Sequence, residues 1–195
     1  ASEHAIDFEE RFSNMHDTYE TGYNVDKAKE YADASGLTGK TLKIITNGAE
    51  DFNNAAAILQ ENLKAIGVEA TITPLDNATY FSVLADETNF DIALFYYSSP
   101  STYAADILAN YVDFVPQGWT GAERDEYGTI SKEAVHTADD AARSDLVYEE
   151  LEIFVDMCPW YAMCEVVAPR AHSNALDGVE YCLAGNIYYD EIYFK

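Results

Sequence analysis

Residues Tyr23 to Asp76 read in one direction as helix, turn, strand, helix, turn, strand. The text is YNVDKAKEYADASG, then GKTLKIITNG, then NNAAAILQENLKAIG, then VEATITPLD. Gly36 and Gly67 each stand just past an apolar-periodic run. A residue without a Cβ reaches the left-handed conformation there at little cost and lets the last carbonyls of a helix be capped. Between them Leu42, Ile44, Ile45 and Thr46 form a short β-rich run, and Glu69 to Thr73 alternate polar and apolar side chains with the period of a half-buried strand. A strand, a helix and a strand in this order call for a parallel pair with a right-handed crossover.

The rest of the chain is read more coarsely. Asn77 opens a helix through about Asp86, with Tyr80, Phe81 and Leu84 on one face. Phe90 to Tyr97 is an almost continuous apolar and aromatic run, expected as a strand buried on both faces, and Pro100 stops it. A helix from Thr102 to about Tyr111, a loop marked by Pro116, Gly118 and Gly121, and a helix over Asp125 to His136 follow. The longest helix is expected from Asp139 or Asp140, because Thr137 and Asp140 have the spacing of a capping box. Val147, Leu151, Phe154 and Cys158 recur along it at three and four residues, and Pro159 ends it. Trp160 to Val167 reads as another strand, and Ala171 to Tyr193 as an irregular tail with one or two short strands, IYYDEIYF among them.

Tyr23, Asn24, Lys27, Ala28 and Lys29, then Gly36 and Leu42, and finally Asn62, Leu63, Lys64, Ile66, Gly67 and Val68 stand in the order of a known pattern. The block resembles the family 5 extracellular solute-binding proteins, the oligopeptide- and dipeptide-binding components of ATP-driven importers. The likeness continues through Phe90-Asp91-Ile92-Ala93-Leu94, similar to that family's central strand. It extends through Arg143 to Trp160, similar to its Arg-x-x-Leu-Tyr-x-Glu-x-Glu helix, and to Asp177-Gly178-Val179. In all it spans Tyr23 to Val179.

The resemblance implies an α/β fold, a periplasmic-binding-protein-like type II lobe with a mixed central β-sheet flanked by helices. The family has two lobes and nothing here resembles the first. Residues 1–22 are therefore read as a linker or preceding segment and residues 23–195 as the second, C-terminal lobe, a fragment whose apolar surface should resemble half an interface. The implied function is substrate capture for an ABC-type importer, this lobe giving one wall of the cleft for a peptide or other small polar solute. The implied partners are that ligand, a membrane permease and the missing N-terminal lobe. The implied location is extracellular or periplasmic, with a lipid anchor on the full-length protein. A non-transport sensing or protein-interaction domain on the same fold is the alternative.

Composition limits other functions. The chain of 195 residues is 48% hydrophobic, with 15 Tyr and 9 Phe, which excludes disorder as its main state. Its 35 Asp and Glu against 11 Lys and Arg give a net charge of −24, a field that repels phosphate backbones and anionic lipid, so no nucleic-acid partner is expected. No run approaches the ~18 apolar residues that span a bilayer. The opening ASEHAIDFEE lacks the basic region and apolar core of a signal, so the sequence is expected to be processed or truncated. Cys158, Cys164 and Cys182 have no metal-ligand spacing, so no metal or cofactor is expected. Buried free thiols are favoured over a disulfide involving Cys182. The sequence has no Gly-x-Ser-x-Gly, no Gly-Lys-Ser/Thr loop, no GxGxxG and no His-Glu-x-x-His, and His4, His16, His136 and His172 are scattered. Adjacent carboxylates such as Glu149 and Glu150 carry no information in so acidic a chain, and an enzyme is not expected.

In open α/β sheets the pocket lies outside the carboxyl ends of the strands. The candidate ligand-binding residues are accordingly Asn47 after the first strand, Tyr96, Tyr97, Ser98 and Ser99 after the central one, Tyr103 beyond them, and Tyr161 and Met163 after the long helix. A plain turn at Asn47, core or lobe-interface packing for Tyr96 and Tyr97, and core packing for Tyr161 and Met163 stand as the alternatives. The resemblance implies a Trp and then an Asp, for a ligand's α-ammonium, in the central-strand loop, but the segment reads Phe95-Tyr96-Tyr97-Ser98-Ser99-Pro100. A buried ammonium without a carboxylate is costly. Aromatic walls and hydroxyls suit sugars or other neutral polar ligands at least as well.

Overall fold

The computed structural model describes residues 8–19, 22–86, 89–97, 103–114, 121–164, 170–181 and 187–195. In chain order its elements are α1 (Phe8–Tyr19), α2 (Val25–Ser35), β1 (Thr41–Thr46), α3 (Glu50–Ala65), β2 (Glu69–Pro74), α4 (Asn77–Ala85), β3 (Ile92–Ala93), α5 (Ala104–Phe114), α6 (Ala122–His136), α7 (Asp140–Met157), β4 (Leu176–Asp177) and β5 (Tyr193–Phe194). They fall into two compact units, one within Glu20–Tyr97 and the other within Ala1–Tyr19 and Ser98–Lys195.

The first unit follows the local signals closely. Asn24 caps α2 by accepting from the Lys27 amide at 2.9 Å. Gly36, at φ +73°, closes the helix with its N–H on the Ala32 and Asp33 carbonyls. Helix α3 begins three residues before the NNAAAILQ run, and Glu50 and Asp51 in its first turn complement the positive end of the helix dipole. The expected parallel pair is present. β1 lies beside β2 from Thr41 opposite Glu69 to Thr46 opposite Pro74, and β3 pairs in parallel on the other side of β1. The sheet order is β2-β1-β3.

Ile44, Ala56, Ala70 and Leu94 form the core between sheet and α3, with Phe52, Leu59, Leu63, Ile72 and Ile92 packed around them. Gln60 reaches the Ala70 carbonyl at 2.5 Å and ties α3 to β2. On the other face Lys43, Thr71 and Thr73 are exposed. The strand expected over Phe90 to Tyr97 is corrected to the two residues Ile92–Ala93. Its ladder opens with the Asp91 carboxylate accepting from the Lys43 amide at 2.7 Å. It stops where the Leu94 carbonyl accepts from the buried Tyr80 hydroxyl at 2.7 Å instead of from a neighbouring strand. Beyond that point Tyr96 is 54% exposed, so the run is not buried on both faces.

The second unit is mainly helical. Ala104, Ala105, Leu108, Ala134 and Val147 form one core cluster of α5, α6 and α7, where small side chains let helix backbones approach. A second cluster centres on Tyr127, with Ile153, Phe154 and Trp160 around it. Residues 8–19, within the stretch expected as a linker, form α1, whose Arg11 meets Asp145 at 2.9 Å and stacks 3.9 Å from the Tyr148 ring centroid. The N-cap of α7 is Asp139, which accepts from the Ala142 amide at 2.9 Å. Thr137 makes no capping box there, because its hydroxyl bonds back to the Glu133 carbonyl at 2.7 Å and closes α6.

Cys158 ends α7 in the left-handed conformation at φ 44°, and Pro159 follows. The strand expected over Trp160 to Val167 is absent from residues 160–164, where Trp160 packs against Tyr127 in place of a strand partner; residues 165–167 lie outside the described residues. In the tail β4 and β5 pair antiparallel, and a 3-10 turn over Tyr189–Glu191 breaks the IYYDEIYF stretch. Gly178, at φ +68°, is required there because a Cβ would collide with the Glu191 carbonyl. The fold is α/β with both parallel and antiparallel strand pairs, as expected, the two kinds lying in separate sheets among the described residues.

Candidate functional site

Three parallel strands aim their carboxyl ends at one edge of the first unit, and the turns that leave them there are residues 47–49, 75–76 and 94–97. The first turn is held from beneath. The buried Thr46 hydroxyl donates to Asn53 Oδ1 at 2.6 Å and receives the Gly48 amide at 3.3 Å, while Asn53 Nδ2 returns to the Gly48 carbonyl at 3.1 Å. Asn47 is half-buried, and its side-chain oxygen accepts from the Ala49 amide at 3.2 Å, the self-contained turn that Asn favours. Gly48 has φ +80°, and a Cβ on it would stand 2.9 Å from the Leu75 carbonyl. The turn thus has one shape, fixed by a buried hydroxyl, an amide side chain and a backbone only glycine adopts cheaply.

The second turn carries Asp76, the N-cap of α4, which accepts from the Thr79 hydroxyl at 2.5 Å and from the Ala78 and Thr79 amides at 3.1 Å. The Thr79 hydroxyl, then the Thr79 amide, hold its carboxyl below the usual aspartate range; desolvation opposes them, and the Ala78 amide adds to them. The third turn is aromatic. Tyr80 is buried beneath it, its phenol pushed up to about 12 by that burial. Phe81 stands edge-on between the rings of Tyr80 at 5.5 Å and Phe95 at 6.3 Å. Tyr97 is half-buried. By sequence these turns and the first turn of α3 carry Glu50, Asp51 and Asp76 and no Lys or Arg. The edge offers aromatic faces, amide groups and negative charge.

Ser98 and Ser99 lie outside the described residues. Asn47, Tyr96 and Tyr97 belong to the first unit, whereas Tyr103, Tyr161 and Met163 belong to the second. Tyr103 stands immediately before α5 and is 48% exposed. Tyr161 is 81% exposed and Met163 is exposed, both beyond the turn that ends α7, so neither ring nor thioether is core. Tyr188, Tyr189, Tyr193 and Phe194 of the same unit are also exposed.

Cys158 and Cys164 are free and exposed. The buried thiols expected there are thereby corrected: Cys158 sits at the left-handed cap beyond the last turn of α7, and Cys164 in a stretch that joins no strand and so has no sheet face to bury it. Cys182 lies outside the described residues. Among the described residues no three His, Cys, Asp or Glu side chains are placed to hold a metal ion, and no helix is long and apolar enough to cross a membrane.

Sequence reasoning missed two groups. Tyr80 was legible as one face of a helix, but its hydroxyl as the stop of β3 was not. Glu150, by sequence one of a chance acidic pair, is fully buried while Glu149 is exposed. Its position three residues after Val147 and four before Phe154, on the apolar stripe of α7, was the available signal.

The family model for bacterial extracellular solute-binding proteins, family 5, middle region, matches residues 5–119, more than half of the chain. No curated protein matches it. Among solved structures, the murein tripeptide binding protein MppA of Escherichia coli aligns at 18% identity and a TM-score of 0.66, over 87% of this chain and 34% of that one. A putative peptide binding protein, AppA, of Clostridium difficile aligns at 20% identity and a TM-score of 0.64, over 88% of this chain and 37% of that one. A periplasmic oligopeptide-binding protein of Thermotoga maritima, solved with mannohexaose bound, aligns at 20% identity and 0.63, over 75% of this chain and 32% of that one. The chain thus spans about a third of the length of these structures. At this identity they share with it a fold, the type II periplasmic-binding-protein fold. The chain belongs to the family 5 bacterial extracellular solute-binding proteins.

Proposed function

We propose that this chain provides one wall of the ligand cleft in the substrate-capture component of an ABC-type importer, and that the carboxyl edge of its parallel sheet is that wall. The observation that carries the reading is the edge itself. A turn of one fixed shape at Asn47 and Gly48 stands on the same sheet edge as the exposed Tyr96 ring and the half-buried Tyr97. Rigid turns and aromatic faces with hydrogen-bonding tips are what small polar ligands require of a pocket. Tyr103, Tyr161 and Met163, exposed on the second unit, are assigned as further ligand contacts on the strength of the family resemblance, and Ser98 and Ser99, which follow Tyr97 in the sequence, as hydroxyl donors.

The protein that carries this chain contains a further lobe, and the two close around the solute and present it to a membrane permease outside the cell or in the periplasm. The exposed aromatics of the second unit support a surface that another part of the protein covers. The cargo is a peptide or a neutral polar solute such as an oligosaccharide. Among the relatives are a murein tripeptide binder and a protein holding mannohexaose, so the fold accommodates either class. The absence of an acid in residues 95–100 favours ligands that do not bring a free ammonium to this turn.

The test is a panel of peptides and oligosaccharides on the full-length protein, read by thermal shift and small-angle scattering. A solute that raises the melting temperature and compacts the molecule supports the reading. No response across both panels favours a protein partner instead. Residues 1–195 alone are expected to bind such a solute much more weakly than the full-length protein.

A further inference from the structure

Glu150 occupies a place on α7 where an aliphatic side chain is the ordinary occupant. It is 0% exposed, and neither carboxyl oxygen has a hydrogen-bond partner of proper geometry. Across from it on α6 are the hydroxyls of Ser131 and Tyr127, both in buried side chains, close enough to favour the charged form slightly. Ser131 Oγ has no partner either. The single proton of the Tyr127 hydroxyl goes to the Leu108 carbonyl of α5 at 2.8 Å, which leaves that oxygen an acceptor toward Glu150.

No ion pair reaches Glu150 among the described residues. Of the charged groups on the elements packed against it, Lys132, Glu133 and His136 of α6 are exposed, and Arg124 of α6 is half-buried with its Nε unpartnered. Asp106 of α5 is half-buried, in the first turn of that helix. On α1, Arg11 is committed to Asp145 and the Tyr148 ring. On α7 itself Arg143 is taken by Asp140 and the Thr137 carbonyl, and Asp145, Glu149 and Glu152 are exposed.

We propose that Glu150 is a protonation latch of this helical unit, joining α7 to α6 by a hydrogen bond from its neutral carboxyl to the Tyr127 or Ser131 oxygen, and through Tyr127 to α5. Ionisation leaves a buried charge without a counter-ion and loosens the packing of the three helices. Burial is the dominant influence on the group and pushes it up from an ordinary 4.5 to about 7, with Ser131 and then Tyr127 opposing. A carboxyl raised in the folded state contributes stability that is complete below its unfolded value and is lost as pH rises through about 7. The latch is therefore closed in mildly acidic solution and open in mildly alkaline solution.

The test is amide hydrogen exchange of the intact protein and its Glu150→Gln variant, compared at the same pH so that the intrinsic exchange rate cancels. Between about pH 5.5 and about pH 8.5 the ratio of variant to wild-type protection in α5, α6 and α7 should rise roughly tenfold, with no change in the ratio for β1. A ratio independent of pH overturns the proposal. If the variant does not fold, infrared spectroscopy of the wild-type protein decides the matter. A protonated-carboxyl band present near pH ~6 and lost by about pH 8 supports the latch, and its absence refutes it.

Discussion

The sheet unit within Glu20–Tyr97 and the helical unit built on α5, α6 and α7 differ in how far their buried polar groups are satisfied. In the first, the Thr46 hydroxyl, the Tyr80 hydroxyl and the Gln60 amide each end on a named partner. In the second lie all the buried unpartnered side-chain atoms found among the described residues, those of Arg124, Ser131 and Glu150. A satisfied network fixes one geometry, whereas an unsatisfied one makes stability depend on conditions. The edge that we assign to ligand therefore stands on the rigid unit, and the adjustable stability lies in the other.

Ile44→Ala empties the centre of the sheet unit's core and should cost about 3 kcal/mol in urea unfolding, the largest effect in this set. A loss below ~1 kcal/mol would mean that the core collapses around the gap and that the unit is less rigid than described. Tyr80→Phe leaves the Leu94 carbonyl without its donor and should cost about 1–2 kcal/mol, equally at mildly acidic and mildly alkaline pH. A pH-dependent cost there would erase the distinction between the units.

Gly48→Ala forces a Cβ against the Leu75 carbonyl at a positive φ and should cost about 1 kcal/mol or somewhat more, visible as a lowered thermal midpoint. Asp76→Asn gives the smallest change, because the group is exposed. Its depressed carboxyl contributes stability that is present above its unfolded value and is lost as pH falls through the lower folded one, so wild type and variant should converge in acid. Persistence of the full difference at low pH would show that the cap acts through its shape alone.

The sheet unit was legible because its local cues and its tertiary partners agree. Gly36 and Gly67 stop helices where the backbone takes positive φ, and Leu42 to Thr46 pair with Glu69 to Pro74 as their patterns require. Phe90 to Tyr97 misled because apolarity reports burial or a ligand wall without distinguishing them. What ended β3 was a hydroxyl from a helix, contributed by Tyr80 from fourteen positions upstream. Trp160 misleads in the same way, since an aromatic packed beside Tyr127 is half-buried with no strand to join. Thr137 had two uses for one hydroxyl, and closing α6 was the nearer one. At the candidate edge, Asn47 and Tyr97 could be chosen from strand order alone, but the network under Asn47 depends on Asn53, one turn into α3, which no spacing rule singles out.

The most direct test is calorimetric titration of the full-length protein and its Tyr97→Ala variant with whichever solute most raises the melting temperature of the wild type. If the carboxyl edge of the sheet is the ligand wall, affinity should fall by roughly tenfold or more while the thermal midpoint moves by no more than ~2 °C. Unchanged affinity accompanied by a large drop in the midpoint would place Tyr97 in the protein's packing and contradict the account.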